Sequence, residues 1–225
     1  GGRETARFAE LSYDRFREMA RDDALSPNER IGLPDAFRDG LDEAVLADVL
    51  AKVPALGREG RRILDIGSGC APFAHRLIAH CEACGHRLVL TDSPEMLAHL
   101  PEPAGGAKVP GRFPDTAGAI AEALPDGADG IVVYGVLQVV FSDGNPVRFL
   151  DAAARHLAPG GALLVGDLPN ASRLRRFLST PAGEAYHKAY MRTDDPPEVP
   201  AFQDPGDRFD DALVLGLVAR MRAAG

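Results

Sequence analysis

The chain has 225 residues, which allows one large domain or one domain with a small appendage. With 45% hydrophobic residues, 26% charged residues and a net charge of -8, it has a globular composition, and the charge disfavours a general nucleic-acid binder. The sequence lacks an apolar run near the roughly 20 residues that span a bilayer, and its polar start is unlike a signal peptide. Three cysteines fit a reducing compartment. We therefore expect a cytoplasmic protein that binds a small molecule, and neither nucleic acid nor a membrane.

Two helices are predicted before the first strand. Apolar residues at helical spacing predict one helix over 5–22 and another over 35–52, with Leu41 on the apolar stripe of the second. Pro54 ends the second helix because proline cannot continue it. We interpret residues 1–58 as a helical cap or lid.

From residue 59 onward, short apolar runs alternate with helical segments. The predicted strands are 62–66, 87–91, 107–109, 130–134 and 162–166. The helices between them are predicted to begin near Ala71, at Pro94, at a cap formed by Asp115, and at Pro146, with a turn at 159–161 before the last strand. Five βα units in succession predict an α/β fold with a parallel sheet and right-handed crossovers.

The pattern changes after Asp167. The segments predicted there are one or two helices over 171–190, a Pro- and Asp-rich loop over 191–207 and a last helix over 209–224. Long loops without secondary structure are uncommon in compact domains and often serve as lids. We interpret residues 170–208 as a lid on a ligand-binding domain that spans 59–225.

The stretch from Arg61 to Ala74 predicts a strand, a tight glycine turn and a helix. Gly67 and Gly69 let the backbone turn sharply and let a ligand approach, and the helix start offers free N–H groups. Such turns bind nucleotide-like ligands in α/β sheets, and Asp65 would favour a ligand with an amino group or a sulfonium. The third glycine of a dinucleotide fingerprint would fall at Pro72, which weakens the alternative of an NAD-dependent enzyme.

An acidic residue, Asp92, directly follows the second strand. A carboxylate at this place can accept hydrogen bonds from both hydroxyls of a ribose. Ser93 can cap the next helix, with Pro94 as its first residue, so that helix does not need Asp92 as a cap. We therefore interpret Asp92 as a ribose-binding residue.

Three segments resemble class I S-adenosylmethionine-dependent methyltransferases. Residues 63–69, Ile-Leu-Asp-Ile-Gly-Ser-Gly, are similar to motif I of that family, and Asp92 matches its ribose-binding acid. Residues 157–163, Leu-Ala-Pro-Gly-Gly-Ala-Leu, resemble the segment that leads into its fifth strand. The resemblance covers about residues 60–168. It implies a Rossmann-like doubly wound sheet of strand order 3-2-1-4-5, with the ligand at the switch point between strands one and four.

The resemblance also implies which residues hold S-adenosylmethionine. They are Asp65, Gly67, Ser68 and Gly69 at the methionine part, Asp92 and Ser93 at the ribose, Arg112 and Phe113 near the adenine, and Tyr134, Gly135, Val136 and Gln138 along the centre. The acid that the family usually carries after strand three is absent here. The family's final antiparallel strand pair is also missing from the sequence. The chain is either truncated or keeps a five-stranded sheet, and we favour truncation because an uncovered fifth strand would be a pairing hazard.

Methyl transfer requires mainly alignment of the nucleophile with the methyl group. A base is needed when the nucleophile carries a proton, as a sugar hydroxyl does. Asp167, just past the fifth strand, is the candidate base, and a plain turn acid is the equal alternative. Tyr134 is the second catalytic candidate and, with Gln138, a candidate for positioning the substrate. Tyr134 fits equally well as a core residue at the end of its strand.

Four residues at the end of the first βα helix resemble a metal-binding motif. They are His80, Cys81, Cys84 and His86. Structural zinc sites usually draw their ligand pairs from separate segments, whereas these cysteines lie one turn apart on a single helix. We therefore interpret the group as an ordinary helix end and predict no metal.

The sequence after strand four lacks the motifs of DNA methylation, both the Asn/Asp-Pro-Pro-Tyr/Phe motif and the Pro-Cys pair. The acceptor, the methylated atom and the oligomeric state are left open by the sequence. We predict an S-adenosylmethionine-dependent methyltransferase that acts on a small molecule, at oxygen on a sugar or glycan precursor. The alternatives are an NAD-dependent α/β oxidoreductase and a cofactor-binding partner subunit without chemistry of its own.

Overall fold

The structure is a computed structural model, and it describes residues 12–35, 40–199 and 209–224. The chain divides into two compact units, the first ending at Asp167 and the second beginning at Leu168. The helices before the first strand belong to the same unit as the sheet. The predicted domain division at residue 58 and the lid at 170–208 stay predictions.

Five parallel strands form the centre of the first unit. They are β1 (Arg62–Ile66), β2 (Arg87–Asp92), β3 (Ala107–Pro110), β4 (Ala128–Tyr134) and β5 (Leu157–Gly166). Their order is β3-β2-β1-β4-β5, and every neighbouring pair is parallel. This confirms the predicted α/β fold and the strand order 3-2-1-4-5. In such sheets ligands bind beyond the carboxyl ends of the strands where the order reverses, here between β1 and β4.

Helices cover the sheet of the first unit. They are α1 (Tyr13–Ala20), α2 (Pro27–Arg30), α3 (Asp42–Lys52), α4 (Pro72–Ala83), α5 (Pro94–Leu97), α6 (Ala117–Ala123), α7 (Leu137–Asp143) and α8 (Pro146–Ala154), with a 3₁₀ turn at Pro54–Gly57. Ser93 caps α5 and Asn145 caps α8, each by accepting a backbone N–H, and a proline follows each cap as predicted.

The main core lies where α3, the 3₁₀ turn and α4 pack on the strands. Leu56, Ile63 and Leu77 are fully buried there, together with Leu88 and Val132. β1 and β4 are largely buried on both faces because helices cover both sides of a parallel sheet. This packing fixes the strands, and the strands fix the loops that follow them.

The N-terminal helices differ from the prediction where the structure describes them. Of the predicted helix 5–22, residues 5–11 lie outside the described residues, and α1 occupies Tyr13–Ala20 with Ser12 as its N-cap. The second helix begins at Asp42, because Gly40 has φ of +75°, which a right-handed helix does not allow. Leu41 is 50% exposed, so its assignment to the apolar stripe is wrong. Residues 36–39 of that prediction lie outside the described residues.

Two local predictions later in the chain are also wrong. The N-cap of α6 is Thr116 rather than Asp115, and the Thr116 side chain makes no capping hydrogen bond. The predicted turn at 159–161 lies within β5, where the pairing with β4 shifts register. Gly160 has φ of +76°, and glycine and proline are tolerated in strands at irregularities of this kind.

The described residues of the second unit form three helices and no strand. These are α9 (Ala171–Leu178), α10 (Pro181–Met191) and α11 (Asp211–Ala224). The predicted helical region 171–190 is therefore two helices, and Thr180 caps the second by accepting the Gly183 N–H. Of the predicted loop, residues 200–208 lie outside the described residues. None of the described helices of the chain is long and apolar enough to cross a membrane.

Candidate functional site

A pocket in the first unit opens at the carboxyl ends of the strands. The glycine turn, the segments that follow β2 to β5 and the N-terminal helices line it. The predicted site residues in the lining are Gly67, Ser68, Gly69, Asp92, Arg112, Phe113, Tyr134, Gly135, Val136, Gln138 and Asp167. The structure thus brings together residues from separate loops of the sheet.

Two residues predicted to bind the cofactor, Asp65 and Ser93, are not in the lining. Both are only 1% exposed. Burial raises the pKa of Asp65 to about 7, and its Oδ2 has no hydrogen-bond partner among the described residues. Ser93 uses its hydroxyl to cap α5. Successive side chains of a strand point to opposite faces of the sheet. Because Ile66 lines the pocket, the side chain of the preceding residue, Asp65, is directed away from it.

The glycine turn requires glycine at two positions. Gly67 has φ of +75° and Gly69 has φ of +62°, and both values lie in the left-handed region. A Cβ on Gly67 would lie 2.5 Å from Cγ2 of Val136, and a Cβ on Gly69 would lie 2.9 Å from Cγ2 of Ile31. Larger residues would therefore collide with the loop after β4 and with the segment after α2.

The carboxylate of Asp92 is held against this turn by two backbone N–H groups. The N–H of Gly69 donates to Oδ2 at 2.8 Å, and the N–H of Ser93 donates to Oδ1 at 2.6 Å. Burial raises the pKa of Asp92, and these two hydrogen bonds oppose that effect. A carboxylate has about four lone-pair directions, so Asp92 retains the capacity to accept hydroxyls of a ligand.

Several lining residues come from the N-terminal segment and were not predicted as site residues. They are Tyr13 and Phe16 of α1, and Ile31 and Leu33 after α2. The sequence predicted a helix over 5–22 and a cap or lid over 1–58, but helical spacing alone does not show which loop a helix packs against. The predicted cap or lid was the nearest available signal.

Ion pairs hold α1 at the side of β2. Nε and Nη2 of Arg17 donate to the two carboxylate oxygens of Glu95, at 3.1 and 2.9 Å, and Arg21 also pairs with Glu95. The hydrogen bond from Arg17 is the main reason that the pKa of Glu95 is lowered to about 2. One carboxylate of α5 thus anchors two arginines at the start of the chain.

The beginning of α1 is held at the side of β4 by Asp143, the last residue of α7. The N–H of Tyr13 donates to Oδ2 of Asp143 at 3.2 Å, and Nη2 of Arg112 donates to the same oxygen at 3.1 Å. The guanidinium of Arg112 lies 5.4 Å from the centre of the Tyr13 ring, within cation–π range. α1 is therefore fixed to loops on both sides of the switch point.

The predicted adenine residue Phe113 packs edge-on against Phe149, with ring centres 5.0 Å apart. The ring of Tyr134 lies 5.2 Å from that of Phe73. A Cβ on Gly166 would lie 2.5 Å from Cδ2 of Tyr134, so this ring also rests on the β5 backbone. Tyr134 thus combines a packed position with a place in the pocket wall.

Asp167 has an uncommon backbone conformation at the end of β5. Its φ of +58° lies in the left-handed region, which few residues other than glycine adopt and which aspartate adopts more readily than most. Residues in sparsely populated conformations cluster at active sites and ligand clamps. The side chain of Asp167 lines the pocket beside Gly135.

The residues His80, Cys84 and His86 lie close enough to hold a metal ion, with ligand atoms within 4.8 Å of one another. Nε2 of His80 lies 2.8 Å and Nε2 of His86 lies 3.4 Å from the carbonyl oxygen of Leu56. Nδ1 of His86 accepts the N–H of Arg61 at 3.0 Å, so the ring proton of neutral His86 belongs on Nε2. A histidine that binds metal normally donates from its other nitrogen. Hydrogen bonds to Leu56 and Arg61 therefore explain the positions of these two histidines better than a shared metal ion does.

Similar solved structures include methyltransferases and a protein in complex with NADPH. They include N-methyltransferase NodS from Bradyrhizobium japonicum (16% identity, TM-score 0.46, 81% of this chain and 84% of that chain). A precorrin-6y C5,15-methyltransferase from Geobacter metallireducens has 21% identity and a TM-score of 0.41 over 53% of this chain and 60% of its own. CurA from Vibrio vulnificus, in complex with NADPH, has 14% identity and a TM-score of 0.43 over 83% of this chain and 45% of its own.

The chain thus spans less than two thirds of the length of the last two proteins. No protein-family model matches the sequence, and no curated protein matches it. At this level of identity and structural similarity, the comparisons do not distinguish the two ligand classes, and the choice between them depends on the pocket.

Proposed function

We propose that the protein transfers the methyl group of S-adenosylmethionine to a hydroxyl of a small molecule, such as a sugar or glycan precursor. The observation that carries this proposal is the 2.8 Å hydrogen bond that joins the Gly69 N–H to the Asp92 carboxylate at the pocket wall. It sets a hydroxyl-accepting acid directly beside backbone that a ligand can approach closely.

The chemistry of the lining fits this ligand. Asp92 would accept the ribose hydroxyls, Arg112 and Phe113 would lie near the adenine, and Gly135 and Val136 would flank the centre. When bound, S-adenosylmethionine supplies a methyl group on a positively charged sulfur. The described lining has three carboxylates and one guanidinium, a balance that favours a ligand with positive charge.

Asp167 would act as the general base for the hydroxyl nucleophile. Its carboxylate stands at the end of β5 on the pocket wall, and its uncommon backbone conformation supports a functional role. Tyr134 and Gln138 would orient the acceptor. Free thiols on the described cysteines are compatible with the cytoplasmic location that we propose.

The start of α4 disfavours a pyrophosphate ligand. Pro72 occupies the first turn of α4 and has no N–H to offer. The start of α4 therefore offers a phosphate one N–H fewer than a helix without this proline.

Calorimetry with S-adenosylhomocysteine, and with NADH as the competing ligand, tests the proposal. We expect S-adenosylhomocysteine to bind and Asp92→Ala to weaken it at least about tenfold, because charge-assisted hydrogen bonds are lost. The matched control is Asp115→Ala, which removes an exposed acid outside the lining. Tighter binding of NADH, or equal binding by wild type and Asp92→Ala, would contradict the proposal.

A further inference from the structure

Gly135, Gln138 and Asp167 border one small part of the pocket, which we term the Gly135 subsite. A Cβ on Gly135 would lie 3.6 Å from Oδ2 of Asp167 and 4.0 Å from Nε2 of Gln138. Gly135 itself follows β4 with φ of +71°, and its N–H donates to the carbonyl of Gly166 at 3.0 Å. Both side chains therefore border the same side of Gly135, at ordinary van der Waals distance from the place where a Cβ would stand.

The carboxamide of Gln138 has a fixed orientation in this subsite. Nε2 donates to the carbonyl oxygen of Gly135 at 2.8 Å, and only the amide nitrogen can serve as that donor. Oε1 is buried and has no hydrogen-bond partner within the described part of the chain. Burial without a partner is unfavourable for an acceptor, so Oε1 is suited to a donor that a bound molecule brings.

The charges around the subsite disfavour an anionic acceptor. Among the described lining residues the charged ones are Asp92, Asp143, Asp167 and Arg112. The guanidinium of Arg112 donates to Asp143 at both the carbonyl and a carboxylate oxygen, at 2.6 and 3.1 Å. A phosphate or carboxylate on the acceptor would therefore face carboxylates without a cation committed to it.

We infer that the acceptor is an uncharged molecule with two neighbouring hydroxyls, an inference that rests on the proposed methyl transfer. One hydroxyl oxygen bonds to the methyl carbon as the methyl–sulfur bond breaks. The electron pair of that bond stays on sulfur, and the hydroxyl proton passes to the carboxylate of Asp167. The second hydroxyl donates to Oε1 of Gln138, which makes Gln138 a positioning residue. The pair of hydroxyls can belong to a sugar ring or to an aromatic ring.

A methylation assay with matched acceptors tests the inference. The full chain, first shown by calorimetry to bind S-adenosylhomocysteine, is incubated with methyl-tritiated S-adenosylmethionine. The sugar probes are a methyl glycoside with vicinal hydroxyls and its uronate, and the aromatic probes are catechol, phenol and dihydroxybenzoate. We expect incorporation into one neutral diol to exceed that into its charged or singly hydroxylated counterpart at least about tenfold.

Equal or greater methylation of the anionic or singly hydroxylated counterpart would overturn the inference, as would incorporation into neither diol by protein that binds S-adenosylhomocysteine. Failure to bind S-adenosylhomocysteine would instead refute the proposed function. The two failures are therefore distinguishable before any acceptor is added.

Two variants separate positioning from a merely structural role. For the methylated diol, Gln138→Leu should raise KM about tenfold with a smaller change in kcat, because one hydrogen bond to the substrate is lost. Methylation of the singly hydroxylated analogue should fall less than methylation of the diol, because it has no second hydroxyl that could use Oε1. Glu122→Gln, an exposed residue of α6 outside the lining, is the control. Equal effects of Gln138→Leu on diol and single hydroxyl would contradict the role of Gln138.

Discussion

Arg17 of α1 holds Glu95 of α5 through two hydrogen bonds, at 3.1 and 2.9 Å. Glu95 is the first-turn acid of a short helix and follows directly on the Asp92 loop. Since α1 carries Tyr13 and Phe16 of the pocket lining, this ion pair connects the cap to the loop that we propose to bind ribose.

We expect Glu95→Gln to loosen α1 without unfolding the sheet. The variant removes the charge that Arg17 and Arg21 share, so amide hydrogen exchange in α1 should accelerate several-fold. The matched control is Glu43→Gln, which breaks the exposed pair with Arg76. Unchanged protection of α1 in Glu95→Gln would show that apolar packing alone holds the cap.

The same ion pair predicts how the cap responds to acid. The pKa of Glu95 is lowered to about 2 from its ordinary value of 4.5. Its stabilising effect is therefore complete above about pH 5 and is lost as the pH falls toward 2. Hydrogen exchange of α1, corrected for the intrinsic pH dependence of exchange, should stay slow at pH 5 and accelerate below about pH 4. Acceleration already near neutral pH would contradict this assignment.

Asp65 predicts the opposite pH dependence for global stability. Burial raises its pKa to about 7 from 3.8, so the folded protein binds this proton more tightly than the unfolded chain. The contribution of the protonated Asp65 to the free energy of unfolding is fully present below about pH 4, and it is lost as the pH rises to about 7. Asp65→Asn should therefore gain stability relative to wild type across that range, by up to roughly 4 kcal/mol.

Denaturant unfolding at pH 4, 6 and 8 measures the difference in stability between Asp65→Asn and wild type. The change of that difference with pH isolates the charge of Asp65, because any packing effect of the amide is the same at each pH. The exposed Asp115→Asn is the control and should show little change. A stability difference between Asp65→Asn and wild type that is independent of pH would contradict the raised pKa.

Gly67→Ala should be destabilising for two separable reasons. Its φ of +75° is unfavourable for alanine, and the new Cβ would lie 2.5 Å from Cγ2 of Val136. Gly60→Ala is the matched control, because Gly60 has φ of +63° and nothing within 4 Å of the added Cβ. We expect Gly67→Ala to cost about 2–3 kcal/mol and Gly60→Ala about 1 kcal/mol in chemical denaturation.

A second substitution isolates the collision. Val136→Ala in the Gly67→Ala background should recover part of the lost stability, because it removes the methyl groups that the new Cβ meets. Additive effects of the two substitutions would show that the left-handed backbone alone makes glycine necessary at this position.

Asp167→Asn should separate stability from chemistry. Asparagine tolerates the left-handed backbone as well as aspartate does, so the free energy of unfolding should change by less than about 1 kcal/mol. Methyl transfer should fall about 100-fold or more, because an amide cannot take the hydroxyl proton. Arg192→Asn, at another left-handed position, serves as the backbone control. Full activity of Asp167→Asn would exclude Asp167 as the base.

The sequence predicted the sheet well because its strands are short apolar runs bounded by glycine, proline and caps. The residues that follow those strands converge by topology alone, which is why Gly67, Asp92 and Gln138 could be placed in one site before the structure was known. Burial of Asp65 outside the lining was not foreseen, because its position near the strand end does not reveal to which face of the strand the side chain turns.

The cap could be predicted as helical but not as part of the pocket. Ile31 meets the glycine turn, and Tyr13 meets Asp143, across long stretches of sequence that share no periodic pattern. The start of α3 was missed because Gly40 interrupts an otherwise helical pattern, and a single glycine does not reveal whether its φ is positive.

Ile31 and Val136, from distant segments of the chain, contact the glycine turn on the side of each glycine where a Cβ would stand. Gly67 and Gly69 themselves line the pocket, together with both of these side chains. One wall of the pocket is thus assembled from three separate segments, so a substitution at Ile31 or Val136 reshapes the surface on which a ligand rests without changing the turn itself.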